Sequence, residues 1–263
     1  MQQNPYAPPA APVYPQDPST VVEPGAKISV FDSVKFAFSG QVGFVNLATG
    51  LLFTFIPVVG PVLLAGWMAE SHRRLVRREI PSVRPFVFGE FVQYLTAGLV
   101  PFLVQLVVTF IAMIPMLVIV GIMVAIMVPM FTNGSDPNTT AVIIMALAVA
   151  IVVLLTMAVV GVVFTAMEIR AELSGNFSIT FRLDGVRRFA RRQWKPILVH
   201  SLLLGLISIP LLLLGLLVFI VGVYFVSVAL QFAQMHLRWQ IYESDVQLGG
   251  EVLPVFPGNG ADL

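Results

Sequence analysis

Long apolar runs alternate along the chain with short polar intervals, and nearly every charge sits in the intervals. From Phe36 to Ala69 no side chain is charged, but the run is interrupted by Ile56-Pro57-Val58-Val59-Gly60-Pro61. Proline removes a backbone donor and glycine permits a tight reversal, so this hexad predicts a hairpin between two spans, 42–56 and 61–75. The next uncharged run, 99–131, exceeds the roughly 20 residues that a span needs, which predicts tilt, a kink near Pro115 or an interfacial start. A polar segment, TNGSDPNTT at 132–140, separates it from a fourth span at 141–167. The run from Pro196 to Leu237 is long enough for two more, 196–216 and 220–238, with Pro210 bending the first of them. The pattern predicts an all-α membrane protein with about six transmembrane helices.

Two stretches carry an amphipathic period instead. In Ser178–Lys195, Ile179, Leu183, Val186, Phe189, Ala190 and Trp194 share one helical face, rimmed by Arg182, Arg187, Arg188, Arg191, Arg192 and Lys195. An apolar stripe with a cationic rim suits a helix lying on an anionic leaflet. Ile28, Phe31, Val34 and Phe38 repeat the pattern more weakly. Both are predicted as interfacial helices.

Charge placement sets the orientation. Lys27 and Lys35 precede the first span; Arg73, Arg74, Arg77, Arg78 and Arg84 follow the second. Seven more, from Arg170 to Lys195, lie between the fourth and fifth, and Arg238 ends the sixth. Six spans put all 15 Lys and Arg on one side, while the opposite loops carry only Asp136. The positive-inside rule then places both termini in the cytoplasm, at a bacterial inner membrane. The organisation is a disordered Pro-rich tail at 1–27, a membrane domain at 28–243 and a short cytoplasmic tail at 244–263. The tail's start has no apolar core behind basic residues, so no cleaved secretory signal is expected.

Composition agrees: 57% of residues are hydrophobic and 11% charged, against about 25% charged in soluble domains. The absence of cysteine removes disulfides, thiolate metal sites and cysteine nucleophiles.

The two amphipathic stretches open similar halves. Ser33-Val34-Lys35 and Gln41 align with Gly185-Val186-Arg187 and Gln193, Val59-Gly60 with Val221-Gly222, and His72-Arg73-Arg74 with His236-Leu237-Arg238. This predicts an internal duplication of a helical hairpin around a central helix pair, with a pseudo-axis along the membrane normal. Between Val30 and Tyr242 the chain resembles the bacterial integral-membrane family catalogued as domain of unknown function 4013. The resemblance rests on Ile56-Pro-Val-Val-Gly-Pro61, Gly66 followed by the Arg73–Arg78 cluster, Pro85–Gly89 before a long apolar helix, and Phe189-Ala-Arg-Arg-Gln-Trp-Lys-Pro196. It implies a multi-span membrane protein and brings no activity, substrate or cofactor with it.

Candidate chemistry is sparse. No Asp, Glu, Lys or Arg lies deep in a span, which disfavours ion-coupled transport. Asn46 is the clearest polar side chain in the first span, where an interhelical hydrogen bond is its ordinary role. His200 sits one turn into the fifth span. His72 and His236 are repeat equivalents that, with Glu70, Glu168 and Glu172, could offer metal ligands if they converged. Met113, Met116, Met123, Met127 and Met130 form a stripe better explained by packing than by metal passage. Gly121 with Ala125, and Ala146 with Ala150, are small-xxx-small pairs suited to close helix contact. No hydrolase constellation and no phosphate loop is present, so no catalytic residue and no cofactor is assigned. Because the basic clusters adjoin spans, anionic headgroups rather than nucleic acid are the expected partner of Arg73, Arg74, Arg77, Arg78, Arg187, Arg188, Arg191, Arg192 and Lys195. Homo-oligomerisation and membrane-protein partners are left open. The function expected is a non-enzymatic structural or accessory role; the alternative is a transporter or channel for a neutral or apolar solute.

Overall fold

The computed structural model describes residues 27–39, 42–132 and 139–256; most of the Pro-rich start, and most of the TNGSDPNTT segment, lie outside them. The regular structure of the described residues is all helical: α1 (Val30–Ala37), α2 (Gly43–Thr54), α3 (Val59–Val76), α4 (Phe91–Thr132), α5 (Thr139–Ser174), α6 (Phe177–Thr180), α7 (Leu183–Leu216) and α8 (Phe219–Gln247), with a 3-10 turn at Phe88–Glu90. Polar side chains mark several ends. Ser29 Oγ accepts from the Asp32 amide to start α1, and Asn176 Oδ1 caps α6 through the Ser178 amide.

Four helices, α4, α5, α7 and α8, are long and apolar enough to cross a membrane. The first hairpin is shorter than the sequence suggests. α2 has 12 residues and rises about 18 Å. α3 has 18 residues, but Glu70, Arg73 and Arg74 lie in its C-terminal half. Its apolar part therefore falls well below the roughly 30 Å of a hydrocarbon core. The expected first two spans, 42–56 and 61–75, are met by a hairpin of helices shorter than the four long ones.

Each hairpin closes on a glycine. A Cβ on Gly60 would lie 1.8 Å from the Phe53 carbonyl oxygen, and one on Gly222 would lie 2.1 Å from that of Gly215. Backbone contact of this kind excludes any side chain. α3 and α4 cross in the same way, with Gly66 against Tyr94 and Gly98 against Val62. Around the crossing, Trp67 packs edge-on against Phe86 and Phe232, and its indole N–H donates to the Arg84 carbonyl at 3.0 Å.

Three expectations change. The interfacial segment Ser178–Lys195 is not a separate helix: from Leu183 it runs unbroken through Pro196 into the fifth span as α7. Its stripe is turned partly inward, with Val186, Phe189 and Gln193 buried and Arg192 held by Asp245 of α8. The 244–263 stretch is not a free tail up to Phe256, because Leu253 is buried and the Phe256 amide donates to the Leu173 carbonyl at 2.8 Å. The two hairpins do not pack reciprocally either. α1 and α2 lie on α8, whereas among the described residues no comparable packing of α7 on α3 answers it.

Candidate functional site

The basic ends of α3, α5, α7 and α8 converge at one end of the bundle. At the centre, Arg238 of α8 lies between two carboxylates of α5, donating to Glu168 at 2.8 Å and to Glu172 at 2.7 Å. Glu172 Oε2 lies 2.7 Å from His72 Nδ1, and its carbonyl accepts from Arg73 Nε at 2.6 Å. Around this centre Arg74 pairs with Glu79, Arg78 with Glu243, Arg170 with Glu251 and Arg192 with Asp245. Opposite charges brought out of water at hydrogen-bond distance make a directional clamp, which fixes the helices' register.

This accounts for several predicted lipid contacts. Arg73 is 1% exposed and Arg74 7% exposed, so their guanidiniums serve the protein interior. Arg77 donates to the Phe256 carbonyl. Only Arg187, Arg188, Arg191 and Lys195 of the predicted set are both exposed and outside this clamp's centre, Arg188 reaching Glu251 at 4.0 Å.

The histidines separate. His236 Nδ1 accepts from Gln240 at 3.0 Å, lies 3.1 Å from Ser33 Oγ, and its ring stacks on Phe36, so it fastens α1 to α8. His72 belongs to the Glu172 clamp. His200 places its two ring nitrogens against the Pro196 and Ile28 carbonyls. Among the described residues no three His, Cys, Asp or Glu are grouped to hold a metal. Asn46 is buried on α2 and lines neither of the clefts described next. Met113 is exposed, Met116 and Met123 are half-exposed, and the side chains of Met127 and Met130 lie outside the described residues.

Two clefts of mixed polar and apolar lining flank the clamp. The larger, of about 500 Å³, lies between α5, α7 and α8 and carries Thr165, Glu168, Ser201, Ser208, Ser227, Gln231, Gln234 and Arg238 among its lining. The smaller, of about 250 Å³, is lined by the α2–α3 tip at Thr54, Gly60 and Pro61, by Gln105 of α4, and by Glu168, Glu172, Gln231, Gln234 and Arg238. Glu168, Gln231, Gln234 and Arg238 belong to both. Arg238 Nε is buried without a partner.

Sequence reading passed over these residues as a group, yet the signal was there. Thr165-Glu168-Glu172, Ser201-Gly205-Ser208 and Ser227-Gln231-Gln234-Arg238 each advance by three or four, so each forms one stripe of a helix. They were not read as rows, because a search for ions at depth ignores uncharged polar stripes.

No curated protein and no solved structure matches the chain. A family model does, over residues 49–223, which is more than half of the sequence and takes in both hairpins' turns and the central helix pair. The chain therefore belongs to the family described as protein of unknown function, DUF4013.

Proposed function

We propose that this protein is a non-enzymatic integral component of a bacterial cytoplasmic membrane, with both termini inside and a structural or accessory role at the anionic leaflet. The observation that carries it is the gathering of the basic helix ends at one end of the bundle, with Arg187, Arg188, Arg191 and Lys195 turned outward from α7. Trp194 is exposed beside them, with the Lys195 ammonium 5.5 Å from its ring centre, an amphipathic pair of the kind favoured at headgroup depth. Four helices cross and the α2–α3 hairpin dips in from the cytoplasmic side, so every basic group still shares one compartment. The test is the lipid that co-purifies with the full chain from mixed-lipid nanodiscs. Enrichment of anionic over zwitterionic lipid is expected, and it should fall when the four cations are replaced by Gln. Equal enrichment in both proteins would remove the lipid role.

A second reading has its own support. Partly polar clefts amid lipid-facing helices suit the binding or passage of a small neutral solute, since unpaired polar groups in hydrocarbon are costly unless water or a ligand meets them. The Cys-free background makes a direct test clean. Ser227→Cys, in the larger cleft, should react with a water-soluble thiol reagent, whereas Leu206→Cys, on the exposed apolar face of α7, should not. An inert Ser227→Cys would mean a dry cleft and retire the reading.

A further inference from the structure

We infer that the two clefts are the two halves of one hydrogen-bonding site for a small uncharged polyol or amide, and that Gln231 and Gln234 are the residues that select it. The inference rests on the solute reading and adds the ligand's class and the selecting groups.

Four residues are common to both clefts, so their side chains form the partition and anything moving between the halves must pass them. Two of the four are committed elsewhere, because Glu168 and Arg238 hold one another at 2.8 Å. The side-chain amides of the two glutamines hydrogen-bond to no described residue. Each offers an amide with two donors and an acceptor of two lone pairs. They stand one turn apart on α8 and Arg238 lies one turn further on, so the stripe faces both clefts along its length.

The surrounding groups define what the glutamines meet. The hydroxyls of Thr165, Ser208 and Ser227 already donate to carbonyls of their own helices, which leaves their oxygens as acceptors. Ser201 adds a further hydroxyl to the larger cleft and Gln105 an amide to the smaller. A ligand that both donates and accepts suits this lining; a purely apolar one leaves the amides unmet.

Charge decides the remainder. Near the partition, Arg238 bridges the carboxylates of Glu168 and Glu172, the latter also 2.7 Å from His72 Nδ1, while Arg73 donates to the Glu172 backbone carbonyl. An entering anion meets two carboxylates beside the one cation that faces the clefts, and an entering cation meets Arg238. Each of these charges is already engaged by a partner, so the partition favours a neutral molecule. Volumes of about 500 and 250 Å³ admit small molecules with room for water.

The test uses the full chain in proteoliposomes, with glycerol and urea as probes and light scattering to follow reswelling. Reswelling with at least one probe should exceed that of protein-free vesicles. It should fall about tenfold in Gln231→Met/Gln234→Met, which keeps side-chain length and removes the hydrogen bonds. Should the double variant fail to insert, Gln234→Met alone carries the same comparison. Potassium formate passing as fast as the neutral probes would overturn the charge argument. No flux of either probe, or flux unchanged in the methionine variants, would overturn the proposal while a labelled Ser227→Cys leaves the aqueous cleft standing. An unlabelled Ser227→Cys would bring down the solute reading and this proposal together.

Discussion

Arg238 ties α8 to α5 through two carboxylates, while Glu172 passes the link on to His72 of α3. Breaking a buried pair costs more than the pair contributes, since the survivor stays charged without its partner. Arg238→Met leaves two adjacent carboxylates and is expected to destabilise by about 5 kcal/mol, the upper end for such losses. Glu172→Gln should cost about 3 kcal/mol, because Glu168 still holds Arg238. Thermal unfolding in detergent checks the order, and a smaller loss for Arg238→Met would show that the clamp is not what fixes the helices. The end of the bundle at which each arginine lies was legible in the sequence. Its burial was not, because the partners are remote: 66 positions separate Arg238 from Glu172, and 165 separate Arg78 from Glu243. A run of arginines beside a span reads as a headgroup cluster until the acids that meet it are located.

Helices in lipid gain little from apolar burial against one another, so close approach and shape must hold them. The α3–α4 crossing does this through Gly66 and Gly98, where an added Cβ would fall 1.8 and 2.0 Å from backbone oxygens. Gly98→Ala must therefore push the helices apart, at a cost of about 1–3 kcal/mol. The control is Gly121→Ala on the same α4, where a Cβ meets nothing within 4 Å and stability should hold. Equal melting temperatures for the two variants would refute the crossing. Here sequence reading chose the wrong small residues. Gly121 with Ala125 has the expected spacing but lies in the exposed half of α4, whereas Gly66 and Gly98 pair across two helices and show no spacing within either one. The joined α7 has a related cause. Its amphipathic half looked interfacial because Arg187, Arg188 and Arg191 rim it, but Gln193 and Arg192 on the inner side find Asp245 and draw that half onto α8.

Across the whole molecule, the number of crossings turns on a quantity that charge counting cannot see. Removing one hairpin from a six-span model changes the count by two, so every basic residue stays on its side and the positive-inside rule is satisfied equally well. Depth discriminates. His72, Glu172 and Arg238 are tied together and set one level on α3, α5 and α8. Measured back along each helix at 1.5 Å per residue, α8 begins about 28 Å away, α5 about 50 Å and α3 only about 20 Å. With that level at one boundary of a hydrocarbon core of about 30 Å, α8 would reach the far boundary, α5 would pass beyond it and the α2–α3 tip would stop inside. The tip's composition is compatible with lipid, for Phe55, Ile56, Val58 and Val59 are exposed and wholly apolar, as are Leu217, Val218, Phe219 and Ile220 at the α7–α8 turn. A cysteine in place of Val58 should therefore resist a membrane-impermeant thiol reagent from either face. Under the same conditions Thr139→Cys should react from outside and Arg84→Cys from inside. Labelling of Val58→Cys from outside would restore six crossings and separate the α2–α3 tip from the smaller cleft. Continued protection would leave that tip at mid-depth, where Thr54, Gly60 and Pro61 can line a cleft that a full crossing would carry past.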